Sequence, residues 1–206
     1  MAQEIIRIDL QGVNCYLAKV GDEFILFDTG GPMVLDKTYT DRHTELENVL
    51  ESAGCKPGSL KLVVLTHGDY DHVANAVFIR EKYHARIAMH PGDVELVNNP
   101  AFEKVMGSFN YRPLLFRLVF RIMKQTIAKT IRQILAKLKS FQPDILLGEG
   151  DFLQEYGLEA TILHIPGHTA GSIAILTAEG ALICGDTFAN FNKPGPAVNA
   201  YDFKVL

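Results

Sequence analysis

The run Leu60-Lys61-Leu62-Val63-Val64-Leu65 ends at Thr66 and opens directly into His67-Gly68-Asp69-Tyr70-Asp71-His72. Four side chains able to bind a metal (His67, Asp69, Asp71 and His72) thus follow one apolar, β-branched stretch. Such a stretch reads as a strand buried on both faces. Residues 73–84 then read as a helix and residues 85–90 as the next strand. This β-loop-α-β order implies a partly parallel sheet, with the polar residues delivered to the carboxyl edge of a strand. Gly68 is expected to relieve backbone crowding in the loop.

The rest of the chain fits an α/β class. Residues 4–10, 14–21 and 23–30 read as strands. Residues 41–53 read as a helix, with Leu46, Val49 and Leu50 at helical spacing and Gly54 as a stop. After Pro143, residues 144–153, 158–166, 172–179 and 181–186 read as strands. With 206 residues, 48% of them hydrophobic, one domain over 1–206 with a large core is expected.

Residues 98–142 break the pattern. Apolar residues recur there at three-to-four spacing with Arg and Lys between them, which predicts one or two basic amphipathic helices forming an insert or cap. Residues 103–141 hold nine basic residues and one acidic one, a local charge of +8 in a chain of net charge −4. A cap with solvated cations and a lid that draws in an anionic substrate are the leading readings. Membrane-surface contact through 103–141 ranks below both. Nucleic-acid binding ranks lowest, since no accessory motif accompanies the charge. The N-terminus carries no signal-peptide pattern and no run is long enough to span a bilayer. Cys15, Cys55 and Cys184 read as reduced thiols, so a cytoplasmic protein is expected.

Two imidazoles and two carboxylates make a mixed nitrogen and oxygen ligand set suited to zinc, iron or manganese. Alone, the cluster could do no more than cap the following helix. Three further strand ends present a polar residue beside glycine: Asp28 in FILFDTGG, His168 in IPGHTAGS and Asp186 in LICGDTF.

Taken together, these motifs resemble the metallo-β-lactamase fold hydrolases, whose signature is H-x-H-x-D-H, a Gly-His-Thr loop and a Gly-Asp strand end. The resemblance runs from about Asn14 to Phe188. It implies a four-layer αββα sandwich with the basic helical insert, and one or two divalent metals, zinc foremost. His67, Asp69 and His168 fall where the family holds its first metal, and Asp71 and His72 where it holds the second. Asp186 falls at the bridging carboxylate, Asp28 where a residue orients a ligand, and Asp71 where a catalytic group takes up a proton.

Two departures qualify the match. Asp69 stands where the family has a second His, as in the iron-binding flavodiiron branch, and an oxygen donor there favours iron or manganese more than imidazole would. No His follows His168, so the family's last metal ligand is missing. A missing C-terminal segment and a naturally short protein with an under-ligated second metal stay open as alternatives, and residues 192–206 look like the start of an unfinished element.

The expected activity is hydrolysis of a small ester, thioester or lactone by a metal-activated water. An iron-binding redox protein and a non-catalytic ligand-binding protein with a degraded site are the alternatives. A small-molecule partner is expected, with a homo-oligomer left open. His90 and His164 are expected to pack structurally, Cys184 to be a buried small hydrophobe, and Tyr70 to touch substrate or wall the pocket.

Overall fold

The computed structural model describes residues 4–34, 42–190 and 194–200. Three strands, β1 (Glu4–Asp9), β2 (Asn14–Val20) and β3 (Glu23–Phe27), form an antiparallel meander. Helix α1 (His43–Ser52) then returns the chain so that β4 (Leu60–Val64) pairs parallel to β3. The expected start of α1 at Asp41 lies outside the described residues. Helices α2 (Tyr70–Val73) and α3 (Ala76–Tyr83) lead to β5 (Arg86–Met89), again parallel. The helix expected over 73–84 is α3, which starts only at Ala76 because Asn75 departs from helical backbone, and the preceding loop residues form the one-turn α2.

Helices α4 (Val94–Asn98), α5 (Phe102–Ser108) and α6 (Leu114–Leu135) follow, and β6 (Ile145–Leu146) pairs parallel to β5. Parallel neighbours need a long crossover, and the basic helical region is that crossover. β6 is far shorter than the strand expected over 144–153, because the chain turns away at Gly148 and Gly150. A second, antiparallel sheet comprises β7 (Ala160–His164), β8 (Ile173–Thr177) and β9 (Leu182–Ile183). A hairpin of β10 (Phe188–Asn190) and β11 (Pro194–Pro196) follows. Of the expected unfinished element, residues 194–200 are thus folded back into the molecule, while 192–193 and 201–206 lie outside the described residues.

Alternation in the central strands explains the layers. Phe24 and Leu26 of β3, with Val63 of β4, face one core shared with Leu46 and Leu50 of α1 and Ile79 of α3. Ile25, Phe27, Leu62 and Val64 face the other core, against Ile162, Ile173, Ile175 and Ile183 of the second sheet. Helices, first sheet and second sheet thus stack in the order of the expected αββα sandwich, with the parallel strands buried on both sides. A third cluster joins Tyr70 to Val105 of α5 and to Ile127, Ile131 and Ile134 of α6. Tyr70, placed between substrate contact and pocket wall by its sequence position, is a packing residue beneath α6.

Candidate metal centre

Because β3, β4 and β5 run parallel, their carboxyl ends share one sheet edge. Asp28 follows β3 and Thr66-His67 follow β4. Across the sandwich, the loop after β7 brings His168 and the turn after β9 brings Asp186 to the same edge. Asp28 adopts a left-handed backbone (φ 59°), a conformation that non-glycine residues seldom take outside sites that need it. Gly185, at φ 50°, passes so close to the β4 loop that a Cβ there would sit 2.4 Å from Thr66 Oγ1. Only glycine fits.

Each imidazole is oriented by its Nδ1. His72 Nδ1 donates to Asp28 Oδ2 at 2.9 Å. Thr66 donates its backbone N–H to Asp28 Oδ1 and its hydroxyl to Asp28 Oδ2, both at 2.8 Å. The Thr66 oxygen is then left to accept from His67 Nδ1, 3.0 Å away. His168 Nδ1 donates to the carbonyl of Asn199 at 3.1 Å. These partners fix the Nδ1 side of every ring and turn the three Nε2 atoms toward one another, His168 Nε2 donating to Asp69 Oδ2 at 3.1 Å. The His67 and His72 ring centroids are 4.1 Å apart, and those of His67 and His168 4.8 Å.

Two donor groups result: His67, Asp69 and His168, and His67, His72 and Asp186, with the donor atoms of each within 4.8 Å of one another. Asp69 Oδ2 lies 3.1 Å from His168 Nε2 and 3.8 Å from His67 Nε2. Asp186 Oδ1 lies 3.2 Å from His72 Nε2, without hydrogen-bond geometry. Asp71 belongs to neither group. Asp28 bonds His72 directly and reaches His67 through the Thr66 hydroxyl.

Whether these residues fit a metal is tested by their own unmet needs. Among the described residues, His67 Nε2 and His72 Nε2 are buried with no hydrogen-bond partner, and an unpaired buried polar atom costs about 1–3 kcal/mol. Three imidazoles and two carboxylates this close together have to share protons, or divalent cations would satisfy them. The set fits a nitrogen- and oxygen-coordinated transition metal.

The ionisation pattern agrees. Burial, helped by His72 and His168, pushes His67 down to about 4, keeping it neutral. Burial acts against the charge of His168 too, but its bond to Asp69 outweighs that and raises it to about 9. Burial opposes Asp186 as well, yet the neighbouring His72 holds it well below the usual carboxylate range. Burial raises Asp71 to about 7, with Asp186 and Asp69 adding to the effect and His72 opposing it.

A cleft of about 620 Å³ lies over this edge, lined among others by Arg7, Asn14, Tyr16, Leu182, Phe188 and Asn199. None of the described residues lining it comes from 98–142. Its walls are the β1–β2 hairpin and the segments around Asp186 and Asn199, the last of which pairs with Asn110, Tyr111 and Arg112 of the crossover. Cys184 lines this cleft and is half-buried rather than sealed in the core. His90 and His164 stack on each other at 3.9 Å, outside both donor groups. Sequence reasoning missed Thr66 and the Asn199 carbonyl. Thr66, immediately before His67, carried a faint signal; a carbonyl carries none.

Known proteins match this architecture. A family profile described as the metallo-beta-lactamase superfamily matches residues 8–203. A hydroxyacylglutathione hydrolase of Pelagibacter ubique is 26% identical over 145 residues, covering 70% of this chain and 43% of that protein. The acyl-coenzyme A thioesterase MBLAC2 of Bos taurus is 23% identical over 165 residues, covering 79% of this chain and 53% of its own length. Among solved structures, the class B3 di-zinc metallo-β-lactamase LRA-12 from an Alaskan soil metagenome superposes with a TM-score of 0.58. It is 19% identical, and the match covers 85% of this chain and 55% of that one. The chain thus spans about half the length of these proteins. With the profile matching nearly its whole length, the chain belongs to the metallo-beta-lactamase superfamily.

Proposed function

We propose that the chain carries the metal centre of a hydrolase acting on a small ester, thioester or lactone-like substrate. The observation that carries this reading is the convergence of three Nε2 atoms, each fixed from behind, with the carboxylates of Asp69 and Asp186. Divalent ions, zinc foremost, would there polarise a carbonyl oxygen and acidify a water. His67, Asp69 and His168 would hold the first ion. His67 has one free nitrogen and can serve only one ion, which leaves His72 and Asp186 for a second. The oxygen of Asp69 makes the first site harder than three imidazoles would, so iron and manganese compete with zinc there.

The chain's own groups supply the rest. Arg7, Asn14 and Tyr16 at the cleft wall offer donors to the polar end of a substrate, and Leu182 and Phe188 offer apolar surface. Asp71 is the proposed proton acceptor, by its place in the family motif. The thioester class draws support from the two relatives, named as a hydroxyacylglutathione hydrolase and an acyl-coenzyme A thioesterase. His67→Ala tests the reading: bound metal and thioester or lactone turnover should fall together to background, and retained turnover would contradict it.

A further inference from the structure

Asp93 ends the short 3₁₀ turn Pro91–Asp93 after β5 and belongs to neither donor group. It is 1% exposed, and among the described residues no Lys, Arg or His pairs with it. A carboxylate buried this deeply needs donors, and three reach it. Oδ2 accepts from the backbone N–H of Gly68 at 2.8 Å and from the hydroxyl of Thr169 at 2.6 Å. Oδ1 accepts from the backbone N–H of Gly171 at 2.7 Å. Gly68 lies between His67 and Asp69, and Thr169 directly follows His168. One side chain therefore binds both loops that supply the first donor group.

The packing is as tight as the bonding. A Cβ on Gly171 would lie 2.6 Å from Asp93 Cγ, and one on Gly68 would lie 2.9 Å from Leu96 Cβ and 3.1 Å from Asp93 Cβ. Neither glycine has a left-handed backbone. Each is required by the approach of Asp93 and its helix, which is a different reason for Gly68 than backbone crowding within the loop. Ile173 N–H also donates to the Thr66 carbonyl at 2.8 Å. That bond joins the same two segments further from the donors and would keep them together without Asp93.

We propose that Asp93 is a positioning residue that clamps the His67–Asp69 loop to the His168 loop. It thereby sets the 3.1 Å separation of Asp69 Oδ2 from His168 Nε2. Metal ligands need placement to within about 0.5 Å, and these two come from residues 99 apart in sequence. Three charge-assisted bonds to one rigid anion provide that placement. The inference rests on the metal-centre reading above.

The test compares zinc affinity by chelator competition and the visible spectrum of the cobalt-loaded protein across variants. Hydrogen exchange at Gly68 and Gly171 in metal-free protein is followed in parallel. In Asp93→Asn the amide N–H₂ replaces one acceptor and faces a donor. Zinc affinity should fall about 10–100-fold, in line with other residues that orient ligands; the cobalt spectrum should shift, and both glycine amides should exchange faster. Thr169→Val should move every readout the same way by less, and Thr169→Ser should restore wild-type behaviour. Should Asp93→Asn fail to fold, the Thr169 pair carries the test. Asp144→Asn, which weakens a bond to Ile87 N–H away from the site, should lower thermal stability but leave metal affinity unchanged. Wild-type affinity and spectrum in Asp93→Asn, or faster exchange at one glycine alone, would overturn the clamp. A wild-type protein that takes up neither zinc nor cobalt overturns the metal-centre reading itself, and the proposal with it.

Discussion

His67, His72 and His168 each give their Nδ1 proton to a fixed acceptor, so the rings are oriented before any ion arrives. Ligand reorganisation on metal binding is then small, and what remains is proton release. His168 is raised to about 9 by Asp69 and is protonated at neutral pH. A metal must displace that proton. Affinity for zinc should therefore climb about tenfold per pH unit from 6 upward for this proton alone and flatten above about 9. Calorimetry or chelator competition across that range checks it, and a pH-independent affinity would count against the pairing of His168 with Asp69. His67, already neutral down to about 4, adds no slope in this window. At this scale the side chains of the two donor groups could be named from residue type and spacing. Their orientation was not, because Thr66, the Asn199 carbonyl and Asp93 reach the site through distant pairings.

Helix α6 shows how far an amphipathic pattern can be read. Its basic, three-to-four periodicity correctly predicts a helix, yet apolar residues lie on two faces and the spacing alone cannot say which one packs. Ile127, Ile131 and Ile134 are buried against Tyr70 and α5. Leu114, Leu118 and Ile122, at 77%, 57% and 75% exposure, face outward. Ile131→Ala should lower unfolding free energy by about 2–5 kcal/mol, the usual range for a buried large-to-small change. Leu118→Gln or Ile122→Gln should change it by no more than about 0.5 kcal/mol. Denaturant midpoints at constant slope separate the two outcomes, and equal losses on both faces would contradict the packing. The role of these helices as the crossover from β5 to β6 could not be read from periodicity, because it depends on which strands pair, and that pairing spans more than fifty residues.

The whole molecule joins two sheets so that one edge collects four strand ends, and among the described residues the donor groups exist only there. The fold class was legible because the buried strand, its loop and the later glycine-flanked His and Asp appear in the family's order. Short elements such as α4, β6 and β9 were misjudged or missed, because their lengths follow from tertiary contacts rather than local pattern. Among the described residues the donors divide unequally: three side chains for one ion, and His72 with Asp186 for another. Metal counting during zinc titration should show one tightly held ion per chain and a second that is lost on gel filtration. Two ions held equally tightly would contradict this division. The most direct test is anomalous scattering from zinc-loaded crystals of this chain. A peak about 2.0–2.2 Å from His67 Nε2, His168 Nε2 and an Asp69 oxygen is the result expected of a zinc site with these ligands. A peak elsewhere, or none in loaded crystals, would contradict it.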